Sequence, residues 1–151
     1  MIKTIILFFL FISHIFATLN YRYLYYQHKN VYSKYILIKE INKSIYEGSF
    51  YFQDNNNICI KPISIIINNH TSYYKKYTIL IHELTHYLQC IYSIKHNTVY
   101  SSITNNIPNK SIIHFINNTY NESYLKEEYE AYYYQYNHKE FHDLERHVLF
   151  L

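Results

Sequence analysis

Two histidines and a glutamate occur within one short stretch, at His82, Glu83 and His86. If this stretch is helical, His82 and His86 are one turn apart on the same face, so both can reach one tetrahedral metal ion. Glu83 lies about 100° around the helix, where it can exchange a proton with a water molecule. Zinc is the metal that this spacing indicates. Bound zinc lowers the pKa of a water molecule to about 7, so a nucleophile is available at neutral pH. The pattern predicts hydrolysis by a zinc-activated water, with Glu83 as general base and then general acid.

The residues around this motif predict a buried helix. Residues 77–92 are mostly apolar, and they contain one charged residue, Glu83, and neither Pro nor Gly. A solvated helix with two accidental histidines would carry Lys and Glu on that face. We therefore expect a helix over residues 73–93, with Thr71 or Ser72 as its N-cap. Its polar stripe would consist of His82, Glu83, His86 and Gln89.

A third ligand must come from outside the motif, because a catalytic zinc site has three protein ligands and one open position. In metzincins a third His follows the second by six residues, with a Gly between them. Those positions hold Tyr92 and Gln89 here, so that pattern fails. His96 is nearly three turns beyond His86 and would point past the site. An acidic residue on a later helix is the better candidate.

At this point the chain resembles the gluzincin metallopeptidases. Residues 82–86 read HELTH, as in thermolysin-like enzymes. Residues 128–132 read EYEAY, where those families carry a ligand-bearing E-x-x-(Ala/Ser)-(Asp) pattern. HExxHxxQ followed by ExEAY is also similar to small phage and viral metallopeptidases. The resemblance implies a zinc peptidase of the zincin fold, in which Glu128 is the third ligand and Ala131 lets two helices approach closely.

One position departs from the thermolysin-like pattern. Tyr132 stands where those enzymes have an Asp that orients a zinc-binding histidine. Because such outer partners set the orientation and basicity of a ligand, Gln89 or Tyr132 itself would have to do this here. A donor to the carbonyl oxyanion is needed as well, for which Tyr132, His114 and His138 are candidates. The resemblance covers residues 49–136.

Other glutamates compete with Glu128 for the role of third ligand. Glu127 and Glu130 fall on other faces of the same helix, about 100° and 200° away from Glu128. Thr119 and Glu122 have the spacing of a capping box, which would occupy Glu122 at the start of the helix. We therefore expect zinc to be bound by His82, His86 and Glu128, with Glu130, Glu127 and Glu122 as the alternatives.

Composition places the chain among globular proteins. Its 151 residues suffice for one domain with a core, and 49% of them are hydrophobic. The net charge of +3 is too small and too scattered to indicate nucleic-acid binding. Cys59 and Cys90 could pair in a secreted protein, but we expect two small buried apolar side chains. Cys90 is about 12 Å along the helix from His82, so it cannot share a metal with both histidines.

The amino-terminal residues predict export. Lys3 precedes a mostly apolar run over residues 5–19, which has small residues near its end at Ala17 and Thr18. This is typical of a secretory signal peptide and is short of the roughly 20 apolar residues that span a membrane. We expect residues 1–19 to be a cleaved signal peptide. The alternatives are an uncleaved signal anchor, associated with a membrane through residues 5–19, and a buried helix. The protein would then be secreted or membrane-anchored.

Residues 21–151 are expected to form a single zincin-like metallopeptidase domain. Its class is α+β, with a short β-sheet packed beside the HExxH helix and a second helix that carries a ligand. Before the motif helix we predict a helix over residues 34–46, a hairpin of residues 49–53 and 58–61, and at residues 63–67 a third strand or a continuation past Pro62. After it we predict a loop over residues 95–118 with a short apolar segment at 112–116. A helix near residues 120–138 and a short helix in 139–151 complete the prediction.

These patterns together predict a zinc metalloendopeptidase that hydrolyses peptide or protein substrates. The alternative is a non-catalytic viral protein, secreted or membrane-anchored, that retains a zincin fold for binding. The presence of Glu83 favours the enzyme, because a binding protein has no need of a general base. A purely structural zinc site is a further alternative, but it would require a fourth protein ligand.

Overall fold

The structure is a computed structural model that describes residues 2–42, 46–69 and 71–150, with side chains from residue 17 onwards. These residues form an α+β domain, as expected, with five α-helices, one short 3-10 helix and three strands. In chain order the elements are α1 (Ile2–Tyr32), β1 (Leu37–Ile41), β2 (Gly48–Asn55), β3 (Ile58–Asn68), α2 (Tyr73–His96), α3 (Lys110–Thr119), the 3-10 helix (Glu122–Tyr124), α4 (Leu125–Tyr136) and α5 (His138–Phe150).

The three strands form one mixed sheet in the order β1-β3-β2. The central strand β3 is parallel to β1 and antiparallel to β2. The predicted hairpin is confirmed: β2 and β3 are joined at Asn56 and Asn57, whose φ angles of 51° and 62° asparagine tolerates well. β3 continues past Pro62. The pairing of β3 with β1 begins only at Ser64, so the missing N–H of Pro62 costs no hydrogen bond in that ladder.

The helix predicted for residues 34–46 is wrong, because residues 37–41 are strand β1. The apolar residues of this segment fit a strand equally well. Ile36 and Ile38 are buried, whereas Leu37 between them is 52% exposed, which is the alternation of a strand. Pairing with β3 decides the outcome, and such long-range pairing is not visible in local spacing. Part of this segment lies outside the described residues.

Helix α2 runs through the middle of the domain. The sheet packs on it from one side and α1, α4 and α5 from the others, so residues 76–90 are all buried. Of the two predicted N-caps, Ser72 is the one used, and its side chain accepts a hydrogen bond from the Lys75 N–H. At the other end Asn97 adopts the left-handed conformation that terminates helices. The predicted motif helix is confirmed, and it extends to His96.

Helix α1 crosses the predicted boundary at residue 19 without a break. Its carboxyl-terminal part belongs to the core: Tyr25 and Tyr32 are buried, and the Tyr32 hydroxyl donates a hydrogen bond to Glu145 Oε1 on α5 at 2.5 Å. The side chains of residues 1–16 lie outside the described ones, so cleavage and anchoring of this segment stay predictions. Among the helices that the structure describes, none combines the length and apolar character needed to cross a membrane.

Cys59 and Cys90 form a disulfide, which contradicts the expectation of two unpaired apolar side chains. Their Cα atoms are 5.2 Å apart, and the bond joins β3 to α2. The two cysteines are separated by 31 positions, and only the packing of the sheet on α2 brings them together. The spacing of the residues alone could not show this contact. The bond fixes β3 against the helix directly after Gln89.

The segment after α2 also differs from its prediction. Residues 110–119 form α3, whose N-cap Asn109 accepts a hydrogen bond from the Ile112 N–H, whereas we expected mostly loop. Thr119 ends α3, and its hydroxyl donates to the Phe115 carbonyl, so Thr119 does not cap the next helix. Glu122 instead begins the 3-10 helix, and the predicted capping box is wrong. The predicted helix of residues 120–138 is α4, which begins only at Leu125, and the short helix predicted in the tail is α5.

Candidate metal centre

His82 and His86 project from α2 towards Glu128 on α4. Their Nε2 atoms lie 3.2 Å apart. Glu128 Oε2 is 3.4 Å from His82 Nε2, and Glu128 Oε1 is 3.4 Å from His86 Nε2. The three side chains can therefore present ligand atoms that all lie within 4.8 Å of one another. The group predicted from the sequence is brought together in the fold, and it can hold a metal ion.

The chemistry of these donors fits a cation. Two imidazole nitrogens facing each other at 3.2 Å need either a proton on one of them or a cation between them. Glu128 Oε2 is buried and has no hydrogen-bond partner among the described residues. A bound divalent cation would satisfy all three groups at once. Two histidines and one glutamate are also a known ligand set of catalytic zinc sites.

The competing glutamates do not reach this space. Glu130 is fully buried on another face of α4, and Glu122 lies in the 3-10 helix before α4 with an exposed side chain. Glu127 is buried at the edge of the cleft, but it is not among the grouped ligand atoms. Ala131, one turn after Glu128, is completely buried where α4 packs on α2, as expected for the side of close contact.

Glu83 is buried beside His82, next to the first residue of β2. That residue is Gly48, the single glycine of the chain. A Cβ at position 48 would lie 2.4 Å from Ile79 Cγ2 and 2.6 Å from Glu83 Oε1, so only glycine allows β2 to come this close. Burial raises the pKa of Glu83, and Glu128 raises it further, against the opposing effect of the two histidines. A carboxylate with a raised pKa is suited to accept a proton near neutral pH.

The charges of His86 and Glu128 depend strongly on each other. Burial alone would lower the pKa of His86, but the adjacent Glu128 carboxylate outweighs it and raises this pKa to about 9. Burial likewise works to raise the pKa of Glu128, and the neighbouring His86 and His82 hold it well below its usual range. The Glu128 carboxylate thus favours a positive charge at the point where the three donors meet. A metal ion would compete with a proton for this position.

Gln89 holds one of the two histidines in place. Its Oε1 atom lies 2.9 Å from His86 Nδ1. Tyr100, in the segment after α2, places its hydroxyl 3.0 Å from the same nitrogen. Gln89 thus contacts a histidine of the candidate metal group, as the sequence suggested, whereas Tyr132 meets His82 through its ring, with centroids 4.6 Å apart. Tyr100 was missed, because one tyrosine among 21 carries no signal.

Of the residues predicted as oxyanion donors, Tyr132 lines the cleft around the donors. His114 and His138 do not line the cleft. His114 contacts Asn118 on α3, and His138 packs against Tyr77. Tyr120, which the sequence did not single out, also lines the cleft, and its ring centroid lies 6.5 Å from that of Tyr132. Burial, and after it the negative charge of Glu128, raises the pKa of Tyr120, so this hydroxyl stays protonated.

A cleft of about 1200 Å³ contains the three donors and Glu83. The edge strand β2 lines it with Gly48, Ser49 and Phe50, and α3 lines it with Ile112 and Phe115. Much of the lining is aromatic, namely Tyr46, Phe50, Phe52, Tyr74, Tyr100, Phe115, Tyr120, Tyr124, Tyr132 and Tyr136. The three donors and Glu83 thus lie in an open cleft with largely aromatic walls.

These features define a class of site: two histidines and one glutamate that can bind a metal, beside a buried glutamate, in an open cleft. Neither a protein-family profile, a curated protein nor a solved structure matches this chain.

Proposed function

We propose that the protein is a zinc-dependent metallopeptidase in which His82, His86 and Glu128 bind the metal in the gluzincin manner. The observation that carries the proposal is the convergence of these three donors beside Glu83. A structural zinc would take a fourth protein ligand, whereas among the described residues no other His, Cys, Asp or Glu joins this group. Three ligands leave one position open for water and substrate.

Bound zinc would act as a Lewis acid, which makes water nucleophilic near neutral pH and polarises a peptide carbonyl. Glu83 takes the proton from that water and delivers it to the leaving amide nitrogen. Its burial supports this role, because burial raises the pKa of the carboxyl towards the working pH. Tyr120 and Tyr132 supply hydroxyl donors in the cleft, where the carbonyl oxygen gains negative charge.

The shape of the cleft supports a peptide as substrate. β2 is an edge strand, so in the part of the chain that the structure describes its outer side pairs with no other strand. An extended peptide can hydrogen-bond to such an edge. The cleft also exceeds the roughly 300–1000 Å³ that are usual for small ligands. Its aromatic walls would accept apolar or aromatic side chains of the substrate.

The disulfide supports export, which we propose as part of the function. Structural disulfides persist in oxidising compartments and are rare in the cytosol. The pairing of Cys59 with Cys90 therefore agrees with a protein that is secreted or membrane-anchored, as the apolar amino-terminal run indicates. A secreted or surface-exposed peptidase would act on proteins outside the cytosol.

Glu83→Gln tests the proposed reaction. The amide keeps the shape of the side chain but cannot take a proton, so cleavage of an unfolded protein mixture should fall by a factor of about 10²–10⁴ or more. Zinc content by elemental analysis should remain that of the wild type, because Glu83 is not a ligand. Glu122→Gln, which removes an exposed carboxylate, should change neither.

Two outcomes would count against the enzyme. If Glu83→Gln cleaves as fast as the wild type, Glu83 is not the general base. If the wild-type protein holds zinc but cleaves nothing in a broad peptide library, at any pH from about 5 to 9, the protein binds without catalysis.

A further inference from the structure

We infer that Glu130, which touches neither the metal ligand atoms nor the cleft, is a positioning residue that sets the tautomer and orientation of the His86 ring. The inference rests on the proposed function, since it takes His86 to be a zinc ligand. Its test reads zinc affinity instead of peptide cleavage, so the two can fail separately. A chain of hydrogen bonds leads from Glu130 on α4 through Gln89 to His86.

Glu130 is completely buried and is surrounded by hydrogen-bond donors. Its Oε1 accepts from the Thr104 N–H at 2.6 Å and from the Thr104 hydroxyl at 2.6 Å. Its Oε2 accepts from the Ile103 N–H and from Gln89 Nε2, each at 2.9 Å. Four donors fill the acceptor positions of an ionised carboxylate. A carboxylate has no hydrogen to donate, so Gln89 has to turn its N–H group, and not its carbonyl, towards Glu130.

The orientation of Gln89 then determines which nitrogen of His86 carries hydrogen. Gln89 Nε2 uses its second hydrogen on the backbone carbonyl of Glu127, at 3.2 Å. Gln89 Oε1 is thereby left facing His86 Nδ1 at 2.9 Å. A carbonyl oxygen only accepts, so Nδ1 has to carry the hydrogen. His86 Nε2 then has its lone pair free on the side of His82 and Glu128, as metal binding requires.

Glu130 also acts on His86 by a second route. The Ile103 and Thr104 groups that it holds follow Tyr100 by three and four residues. The Tyr100 hydroxyl donates to Gln89 Oε1 at 3.1 Å and contacts His86 Nδ1 at 3.0 Å. Both neighbours of His86 Nδ1 are thus fixed by one carboxylate. His82 has no comparable support, because its Nδ1 is buried without a hydrogen-bond partner among the described residues.

Glu130→Gln tests the inference with little change of volume. The new amide has one acceptor oxygen, which we expect to stay with Thr104, and its NH₂ group would face Gln89. The Gln89 amide then reverses and offers an N–H to His86 Nδ1, so the hydrogen of His86 moves to Nε2, the atom that should bind zinc. The dissociation constant for zinc, measured in competition with a chelator, should rise about 10–100-fold.

Exchanging the two residues provides the rescue. In Gln89→Glu/Glu130→Gln the carboxylate at position 89 accepts from His86 Nδ1, and the amide at position 130 donates to that carboxylate. The donor and acceptor at His86 Nδ1 and those between positions 89 and 130 match again, whereas the Glu127 carbonyl and the Ile103 N–H lose their partners, so the double variant should recover part of the zinc affinity that Glu130→Gln loses. Glu122→Gln serves as the control for charge, because it also removes one carboxylate, and its zinc dissociation constant should stay within about twofold of the wild type.

The measurements are made on the full chain, and the melting temperature of each metal-free variant shows whether it folds. A dissociation constant of Glu130→Gln within about twofold of the wild type would overturn the inference, as would a double variant that binds zinc no better than Glu130→Gln.

If Glu130→Gln does not fold, the zinc affinity of the double variant alone decides. Zinc binding within about tenfold of the wild type supports the inference, and a larger loss contradicts it. A wild-type protein that binds zinc without cleaving peptides would contradict the peptidase and leave this inference standing.

Discussion

Glu40 and Glu128 are two partly buried carboxylates that both contact α2, and their side chains are 16% and 13% exposed. In both cases burial works against ionisation and nearby positive groups overcome it, so each pKa is held below its usual range. By burial and pKa alone the two residues look alike. Their partners are different, and this difference separates a structural carboxylate from a functional one.

Glu40, on β1, is held by two lysines. Its Oε1 accepts from Lys29 of α1 at 2.5 Å, and its Oε2 accepts from Lys76 of α2 at 2.8 Å. Lysine ammonium groups are permanently charged near neutral pH, so this cluster is complete and ties three elements together. Glu128 faces two histidines, which are neutral unless protonated, and its Oε2 has no hydrogen-bond partner among the described residues. The comparison teaches that a largely buried carboxylate which faces histidines and keeps one oxygen without a hydrogen-bond partner is the place to look for a bound cation.

The largest expected effect comes from Glu128→Gln. The amide fills the same space, but it provides neither the negative charge nor a good ligand oxygen. Zinc affinity should fall by more than about 100-fold, because a lost ligand costs more than a lost outer partner, and peptide cleavage should disappear with the metal. Titration with zinc and a cleavage assay measure the two effects.

The stability of the metal-free protein provides the control for this variant. The metal-free variant should still unfold cooperatively, although it loses the pairing with His86 that raises the pKa of this histidine to about 9, so that a lost zinc affinity is not explained by a lost fold. If Glu128→Gln still binds zinc as tightly as the wild type, Glu128 is not a ligand and the contrast with Glu40 is wrong.

Glu40→Gln should give the opposite result. It leaves the Lys29 and Lys76 ammonium groups without their carboxylate, which we expect to cost about 1–3 kcal/mol of the free energy of unfolding. Urea unfolding at neutral pH measures this loss. Zinc affinity should be unchanged, since Glu40 has no contact with His82, His86 or Glu128. A variant with weakened zinc binding and unchanged stability would reverse the roles assigned to the two carboxylates.

The metal centre was predictable to the extent that helix geometry defines it. His82, Glu83 and His86 lie within one helix, so their relative positions follow from the helical repeat. Glu128 followed from the resemblance and from its spacing to Ala131, which marks the face of α4 that packs on α2. The packing of α4 on α2 then sets the actual distances between the ligand atoms, which no local pattern contains.

What the sequence did not reveal depends on contacts between distant segments. Residues 37–41 have apolar positions that fit a helix and a strand, and pairing with β3 decided between them. The Cys59–Cys90 disulfide and the contact between Gln89 and Glu130 likewise join separate elements. Glu130 was considered only as an alternative ligand, because its four hydrogen-bond donors come from α2 and from an irregular segment. A pattern of residue types does not indicate such partners.

The smallest predicted effect is the pH dependence that Glu40 gives to the stability of the metal-free protein. Burial opposes the ionisation of Glu40, but Lys29 and Lys76 lower its pKa from 4.5 to about 2. Because this folded-state pKa lies below the unfolded value, the pair contributes its full stability above about pH 4.5 and loses it as the pH falls towards about 2. The difference in unfolding free energy between the metal-free wild type and Glu40→Gln should therefore shrink over this range, because a protonated Glu40 resembles a glutamine. Urea unfolding of both proteins at about pH 7, 5, 3.5 and 2.5 measures it, and other titrating groups cancel in the difference. A difference that stays constant down to about pH 2.5 would mean that the lysines do not stabilise the ionised carboxylate, and Glu40 could no longer serve as the structural counterpart of Glu128.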